Sequence, residues 1–435
     1  MGEGKRVDSA RLAAYDVLKS VRLDDAYANL SLPLLLAEHR LTGRDAAFTT
    51  ELVSGTIRWQ GTYDAIIDVC LTKPRLEAKV RDALRLGVHQ LLAMRVPDHA
   101  AISTSVDLVR ARVGVGPTGL VNAVLRKVAA HDLDAWIRRV APDPTQDPSG
   151  FASVAHSHPR WVVEALGEAL GTLDELPALL AADNAAPRVM LVALPGHATV
   201  EELVDAGGVR ATLSPYAVEL TGGDPSAIPA VADGRAGVQD EGSQLVALEL
   251  AGADLFGRDE RWLDVCAGPG GKAALLASLA VQRGARLLAN ERQQHRSRLV
   301  KRGTRATSSG IVGVVTGDGT RPPWRAETFD RVLVDAPCSG LGALRRRPES
   351  RWRRTPADLD MLVPLQTQLL GAAIAATRPG GVVVYATCSP VLAETTGVVQ
   401  SVLGRRTDAV LERSRQLWPH RDGTDAMFIA TIRRG

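Results

Sequence analysis

Cysteine is scarce in this chain. Only Cys70, Cys266, Cys338 and Cys388 occur among 435 residues, and they lie far apart. No pair has the short spacing of a zinc knuckle or a redox dithiol, and four are too few for a disulfide framework. Long apolar runs are also missing. None reaches the ~18–20 residues that cross a bilayer. The opening MGEGKRVDSARLAAYDVL lacks the apolar centre of a signal peptide. Neither sign of charge dominates, since 52 Lys/Arg against 49 Asp/Glu leave a formal net of +3. Apolar residues at 45% and charged residues at 23% are ordinary globular usage. That excludes a disordered tail, a coiled coil and a collagen-like chain. The length allows roughly two to four domains. The expectation is a soluble, cytoplasmic, multidomain monomer with no metal and no membrane partner.

The small net charge hides a partition. Residues 1–140 carry a net +4, 141–282 a net −13, 283–360 a net +9 and 361–435 a net +3. The basic block peaks at LGALRRRPESRWRR (341–354), with six arginines in 14 residues. A run of this kind can be a solvated helix face. It can also bind phosphate, because arginine forks match phosphate oxygens bidentately. On the second reading Arg345, Arg346, Arg347, Arg351, Arg353 and Arg354 contact RNA. Trp352 then offers a stacking face.

Apolar periodicity predicts helices from about Leu12 and over Ala46–Gln60, Tyr63–Leu71, Leu76–Met94, Ser103–Ala111 and Pro117–Ala130. Residues 1–140 therefore read as an all-α bundle. APDPTQDPSG (141–150) reads as a linker and 151–236 as a small α/β subdomain. From 237 to 435 strands and helices alternate. The strands are expected at Trp262–Cys266, Arg286–Ala289, Ile311–Val315, Arg331–Val334, Val382–Ala386 and Met427–Ile432. Apolar strands separated by helices imply an α/β, Rossmann-like parallel sheet covered on both faces.

LDVCAGPGGK (263–272) runs an apolar strand into a glycine-rich turn and a helix. A ligand sits at such a strand end in an open α/β sheet. The spacing is neither that of a phosphate loop nor G-x-G-x-x-G. Cys266, Ala267, Gly268, Pro269, Gly270, Gly271 and Lys272 form the candidate donor loop. Glu291 follows Gly268 by 23 residues and ends the next strand, where a carboxylate suits ribose hydroxyls. Asp318 ends the third strand region, placed for a purine edge. This set suits a nucleoside without phosphates, and S-adenosylmethionine fits.

VLVDAPCSG (332–340) and VVYATCSP (383–390) end the fourth and fifth strands. Adjacent parallel strands would bring Cys338 and Cys388 to one sheet edge. Either cysteine alone is an ordinary buried thiol, but here both follow an apolar strand and precede a serine. A thiolate supplies chemistry that a methyl donor lacks. Its addition to carbon 6 of a pyrimidine makes carbon 5 nucleophilic, and later elimination restores the ring. Asp335 is placed to hold the N3/N4 edge of cytosine.

DVCAGPGGK, DAPCSG, LRRRPESRW and YATCS, with VQDEGSQLVA (238–247) and DAMFIATIRR (425–434), resemble the RNA 5-methylcytosine methyltransferases. The similarity is to the bacterial 16S ribosomal RNA type called RsmB (Sun/Fmu). AYANLSLPLLL, RDAAFTTELVSGTIRW, LRLGVHQLL and GLVNAVLRK resemble its NusB-like N-terminal domain. The resemblance implies a Rossmann-like methyltransferase domain after a NusB-like RNA-binding bundle. It implies Cys388 as nucleophile, Cys338 as the aid to product release, and a donor site over Cys266–Lys272, Glu291, Asp318 and Asp335. It also implies that Lys272 reaches the base. Glu291 stands for the more usual Asp, LRRRPES for LRRHPDI, and Ser297 for the more usual Leu.

Three other readings stay open. The same motifs would serve a transfer RNA cytosine-C5 methyltransferase. A helical domain alone would permit a non-catalytic RNA-binding or antitermination-like factor, which needs neither donor loop nor thiols. An amino-group methyltransferase would carry an Asn/Asp-Pro-Pro-aromatic run where this chain has DAPC.

Overall fold

A computed structural model describes residues 8–72 and 75–435. The first seven residues of the segment searched for a leader lie outside them. The chain divides into two compact units. One is Met1–Ala185 with Leu344–Arg353, and the other is Ala186–Ala343 with Arg354–Gly435.

The first unit is helical. Every stretch predicted as amphipathic overlaps a helix, with ends shifted by one to three residues where both bounds were predicted except at Ser103–Ala111: Ser9–Leu23, Gly43–Arg58, Gln60–Cys70, Ala78–Leu92, Asp98–Arg112 and Thr118–Val128. Carboxylates start several of the unit's helices. The Asp8 side chain accepts from the Ala10 amide at 2.8 Å, and Asp132 accepts from Ala135 at 2.7 Å. Leu52, Val53, Ile57, Tyr63, Ile66, Leu84, Leu108 and Leu125 meet in one core. Each such side chain contributes about 1.5–3 kcal/mol when fully buried. Ala28–Glu38 is a helix that periodicity does not reveal, because Pro33 interrupts it and leucines surround it on every face.

The boundary differs from the predicted linker. Asp147 accepts from the Gly150 amide at 3.0 Å, and Pro148 takes the first turn, so a helix begins inside APDPTQDPSG. Pro148–Ala155, Arg160–Leu170 and Leu176–Asn184 are helices of the first unit. The small α/β subdomain therefore shrinks to the region after Ala185. There β1 (Val189–Ala193), β2 (Gly208–Arg210), β3 (Ala217–Leu220) and β4 (Ala236–Val238) form an antiparallel sheet of order β2-β3-β1-β4.

The rest of the second unit is a seven-stranded sheet. Its strands are β5 (Arg261–Asp264), β6 (Arg286–Glu291), β7 (Ile311–Thr316), β8 (Phe329–Asp335), β9 (Thr377–Thr387), β10 (Ala409–Gln416) and β11 (Phe428–Arg434). The order is β10-β11-β9-β8-β5-β6-β7. The five strands from β5 to β9 pair parallel, and β11 pairs antiparallel with β9 and β10. Successive side chains feed opposite cores. Val332, Val334, Val383, Tyr385, Phe428 and Ala430 enter one core, and Leu333, Val382, Val384, Ala386 and Ile429 enter the other.

One helix, Ala357–Ala376, has the length and mean hydropathy (1.3) to cross a membrane by composition alone. No uninterrupted apolar run had suggested this. Here it covers the sheet, with Leu369, Leu370, Ala373 and Ile374 packed on Val332, Val334 and Val383.

Candidate active site at the carboxyl edge of the sheet

The chain leaves β5 for β6 on one side and later returns to β8 on the other. The strand order therefore reverses between β5 and β8, where open α/β sheets bind ligands. The ends of β5, β6, β8 and β9 carry the donor loop, Glu291, Asp335–Ser339 and Cys388, as the motifs predicted.

Backbone and amide bonds hold the donor loop. The Ala267 amide donates to Asn290 O at 2.8 Å, and Asn290 Nδ2 donates to Val265 O at 2.9 Å and to Gly317 O at 3.1 Å. A Cβ on Gly268 would lie 2.1 Å from Glu291 Oε2, so any larger residue there must displace the Glu291 carboxylate. Gly270 has φ +120°. Arg296 Nη2 donates to Gly268 O at 2.7 Å, and Glu291 Oε1 accepts from the Gln293 amide at 2.9 Å. Asp318 Oδ1 accepts from Thr320 N and Oγ1 at 3.0 and 2.8 Å, bonds that lower its carboxyl pKa. Ser297, where a leucine is more usual, accepts from Thr316 Oγ1 at 2.9 Å.

S-adenosylmethionine can be tested against this cradle. Asp264 Oδ2, Asn290 Oδ1 and Gln239 Oε1 are buried acceptors with no hydrogen-bond partner among the described residues. A Cβ on Gly271 would stand 3.9 Å from Gln239 Oε1. Burial pushes Asp264 up to about 7, and the nearby Asp335 charge adds to this. A site of spare acceptors and crowded carboxyls fits a cationic ligand rich in N–H and O–H donors, which is the character of S-adenosylmethionine. Gln239 and Asp264 had not been singled out from the sequence as site residues. Gln239 stood inside the VQDEGSQLVA match.

The candidate reactive groups sit beside the loop. Lys272 Nζ lies 2.9 Å from Asp335 Oδ2. Burial pulls the Lys272 pKa down, but Asp335 and then the Cys388 sulfur outweigh it and hold the ammonium charged. Cys338 Sγ is 3.4 Å from Cys388 Sγ. Its contact with Cys388 raises the Cys338 pKa well above the ordinary thiol value, followed by burial and by the Glu394 charge. Cys338 is therefore held as a thiol. Burial, then Asp264 and Asp335, keep Cys266 a thiol. Cys70 is buried in the helical core.

A residue the sequence reading missed joins the two cysteine turns. The buried Glu394 carboxylate accepts from Ser339 N at 2.7 Å, Ser339 Oγ at 2.5 Å, Ser389 Oγ at 2.6 Å and Gln366 Nε2 at 3.0 Å. The serine after each cysteine was the available signal.

The arginine run departs from the expected RNA contacts. Leu344–Arg353 belongs to the helical unit. Arg351 is fully buried and donates to Ser157 O at 3.1 Å, Asn184 Oδ1 at 2.7 Å and Asp183 O at 3.2 Å. Trp352 Nε1 donates to Ile57 O at 2.8 Å and the ring packs on the helical core. Arg353 donates to Val21 O at 3.0 Å, Asp25 O at 2.8 Å and Ala26 O. Arg345 is buried, and Arg346 is half-buried and partnered. Arg354, in the second unit, donates to Ser339 O at 3.1 Å. Arg347 is exposed and lies over the Tyr27 ring. The physical reason is that helix ends leave carbonyls unpaired. Asp183 O and Val21 O are such carbonyls, and an arginine fork satisfies them as it would satisfy phosphate.

Comparison with known proteins places these features. The family described as 16S rRNA methyltransferase RsmB/F matches residues 256–433, and the NusB family matches residues 8–130. A Mycobacterium tuberculosis protein named only as a methyltransferase is 50% identical, over 98% of this chain and 97% of its own. Ribosomal RNA small subunit methyltransferase B of Pseudomonas syringae pv. tomato is 33% identical, over 92% and 87%. The crystal structure of PH0851 shares the fold at a TM-score of 0.81 and 22% identity, over 99% of this chain and 100% of its own. NSun6 from Pyrococcus horikoshii with SFG does so at 0.55 and 18%, over 63% and 98%.

Proposed function

The chain belongs to the RsmB/F family of methyltransferases, and from that premise we propose that it methylates carbon 5 of a cytidine in 16S ribosomal RNA in the cytoplasm. It is an S-adenosylmethionine-dependent RNA methyltransferase. The donor supplies an electrophilic methyl on a sulfonium. Everything else falls to the chain's own residues.

Cys388 Sγ adds to carbon 6 of the cytosine, and the ring's electron density moves to carbon 5, which takes the methyl. Asp335, with Lys272 beside it, holds the N3/N4 edge and steadies charge developing there. The methyl donor leaves as S-adenosylhomocysteine, a base takes the carbon 5 proton, and the freed electron pair re-forms the C5=C6 bond as the Cys388 sulfur departs as thiolate, with Cys338 aiding that release. The observation that carries this reading is the pair of thiols at 3.4 Å beside the Lys272–Asp335 pair, at the strand edge that bears the donor loop. The Lys272 ammonium, whose charge acts on the Cys388 sulfur, supports Cys388 as the attacking thiolate.

Bisulfite sequencing of RNA from a deletion strain and its complemented partner tests the substrate. One 16S cytidine should lose protection in the deletion strain. Loss confined to a transfer RNA, or no loss at all, overturns the proposal.

A further inference from the structure

With the arginine run of 345–353 engaged inside the helical unit, the surplus positive charge of residues 283–360 must be sought elsewhere. Arg292–Arg305 holds six Lys/Arg and no Asp/Glu. Its centre is the helix Gln294–Gly303, which packs on β6 and β7 through Ser297 and Val300. Arg298, Lys301 and Arg302 are spaced i, i+3, i+4 and share one exposed face, and the exposed Arg305 follows in the next turn. Their four side chains make no hydrogen bond or ion pair with any described residue. Arg296 differs, since it is tied to Gly268 O and Glu291. Lys301 and Arg302 also suit the negative end of the helix dipole. That explains neither Arg298 nor Arg305.

A Cβ on Gly270 of the candidate donor loop would stand 3.1 Å from Val300 Cα, so the helix that carries this stripe packs against that loop. An RNA strand with a base in the site must run its backbone over the surrounding surface. Unpaired cations without neighbouring carboxylates suit phosphates by charge, and each contact releases counterions.

We infer that Arg298, Lys301, Arg302 and Arg305 form the phosphate-binding surface that carries the substrate RNA strand on the donor side of the site. This rests on the RNA methyltransferase reading and adds to it the surface that carries the strand.

The test is the full chain with all four changed to alanine, titrated with a small-subunit ribosomal RNA transcript at several salt concentrations. The slope of log affinity against log salt should fall by about 2–4, at ~0.7–0.9 per lost phosphate contact. The KM for RNA should rise tenfold or more, with donor affinity by calorimetry unchanged. Arg405→Ala/Arg415→Ala, towards the β10 edge of the sheet, should move the slope by less than about 1. An unchanged slope in the fourfold variant, or an equal fall in the control, overturns the inference. Binding is read without methyl transfer. A wild-type chain that binds RNA with this slope but methylates none would fail the functional reading and leave the surface standing.

Discussion

Cys338 and Cys388 lie fifty residues apart in the chain and 3.4 Å apart at their sulfurs. The parallel pairing of β8 with β9 sets Asp335 opposite Ala386, so the two turns that follow leave the sheet side by side. The Cys388 sulfur interacts with the Lys272 ammonium, which distinguishes two otherwise similar thiols.

Different phenotypes follow for the two cysteines. Cys388→Ala should abolish transfer from labelled donor and form no adduct with RNA. Cys338→Ala should accumulate a protein–RNA adduct that survives denaturant, read as a retarded band on a gel. Exchanged phenotypes would reverse the roles.

Glu394 should act as a positioning residue. Glu394→Gln keeps the reach but replaces one acceptor oxygen, and is expected to lower kcat about tenfold. Glu394→Ala releases both turns and should cost about a hundredfold. Donor KM should stay constant in both. Diamide, which takes the two thiol hydrogens as it closes a disulfide, should link Cys338 to Cys388 more slowly in both variants. A wild-type linking rate in Glu394→Ala would refute the positioning role.

The buried Asp264 gives a pH dependence. Its pKa is raised from 3.8 to about 7 in the folded chain. The folded state thus favours the protonated acid, and stability is lost as pH rises from about 4 through 7. Without donor, Asp264→Asn should stabilise by about 2–4 kcal/mol at pH 8 and by almost nothing at pH 4. Thermal unfolding at the two values checks this. Equal effects at both would contradict it.

Arg351 should prove structural. Arg351→Ala strands Asn184 Oδ1 and the carbonyls of Ser157 and Asp183. The expected loss is about 2–4 kcal/mol of stability. RNA affinity of the folded chain should change less than twofold. A large affinity loss at unchanged Tm would restore Arg351 to the RNA surface.

The placement of the candidate site at the strand ends was legible because its residues sit where an apolar strand gives way to a small-residue turn, as at Leu263–Gly271 and Val383–Cys388. That change of texture survives without tertiary knowledge. The arginines of 345–354 were not legible, since a guanidinium on a helix-end carbonyl and one on phosphate look alike in sequence. Glu394 stayed hidden because its four partners come from three separate segments. β10 was missed because it is a polar edge strand, mostly exposed, with a register shift between Leu411 and Arg413. Residues 151–185 were joined to the wrong unit because Pro148, one of the three prolines that suggested a linker, instead starts a helix.

The central claim is covalent attack by Cys388 on the cytosine ring. It is tested most directly with RNA carrying 5-fluorocytidine at the target, where no carbon 5 proton can leave. Incubated with donor, the chain should form a denaturant-stable adduct, and peptide mapping should locate it on Cys388. A Cys338 linkage, or no adduct from a chain that methylates ordinary RNA, would contradict the account.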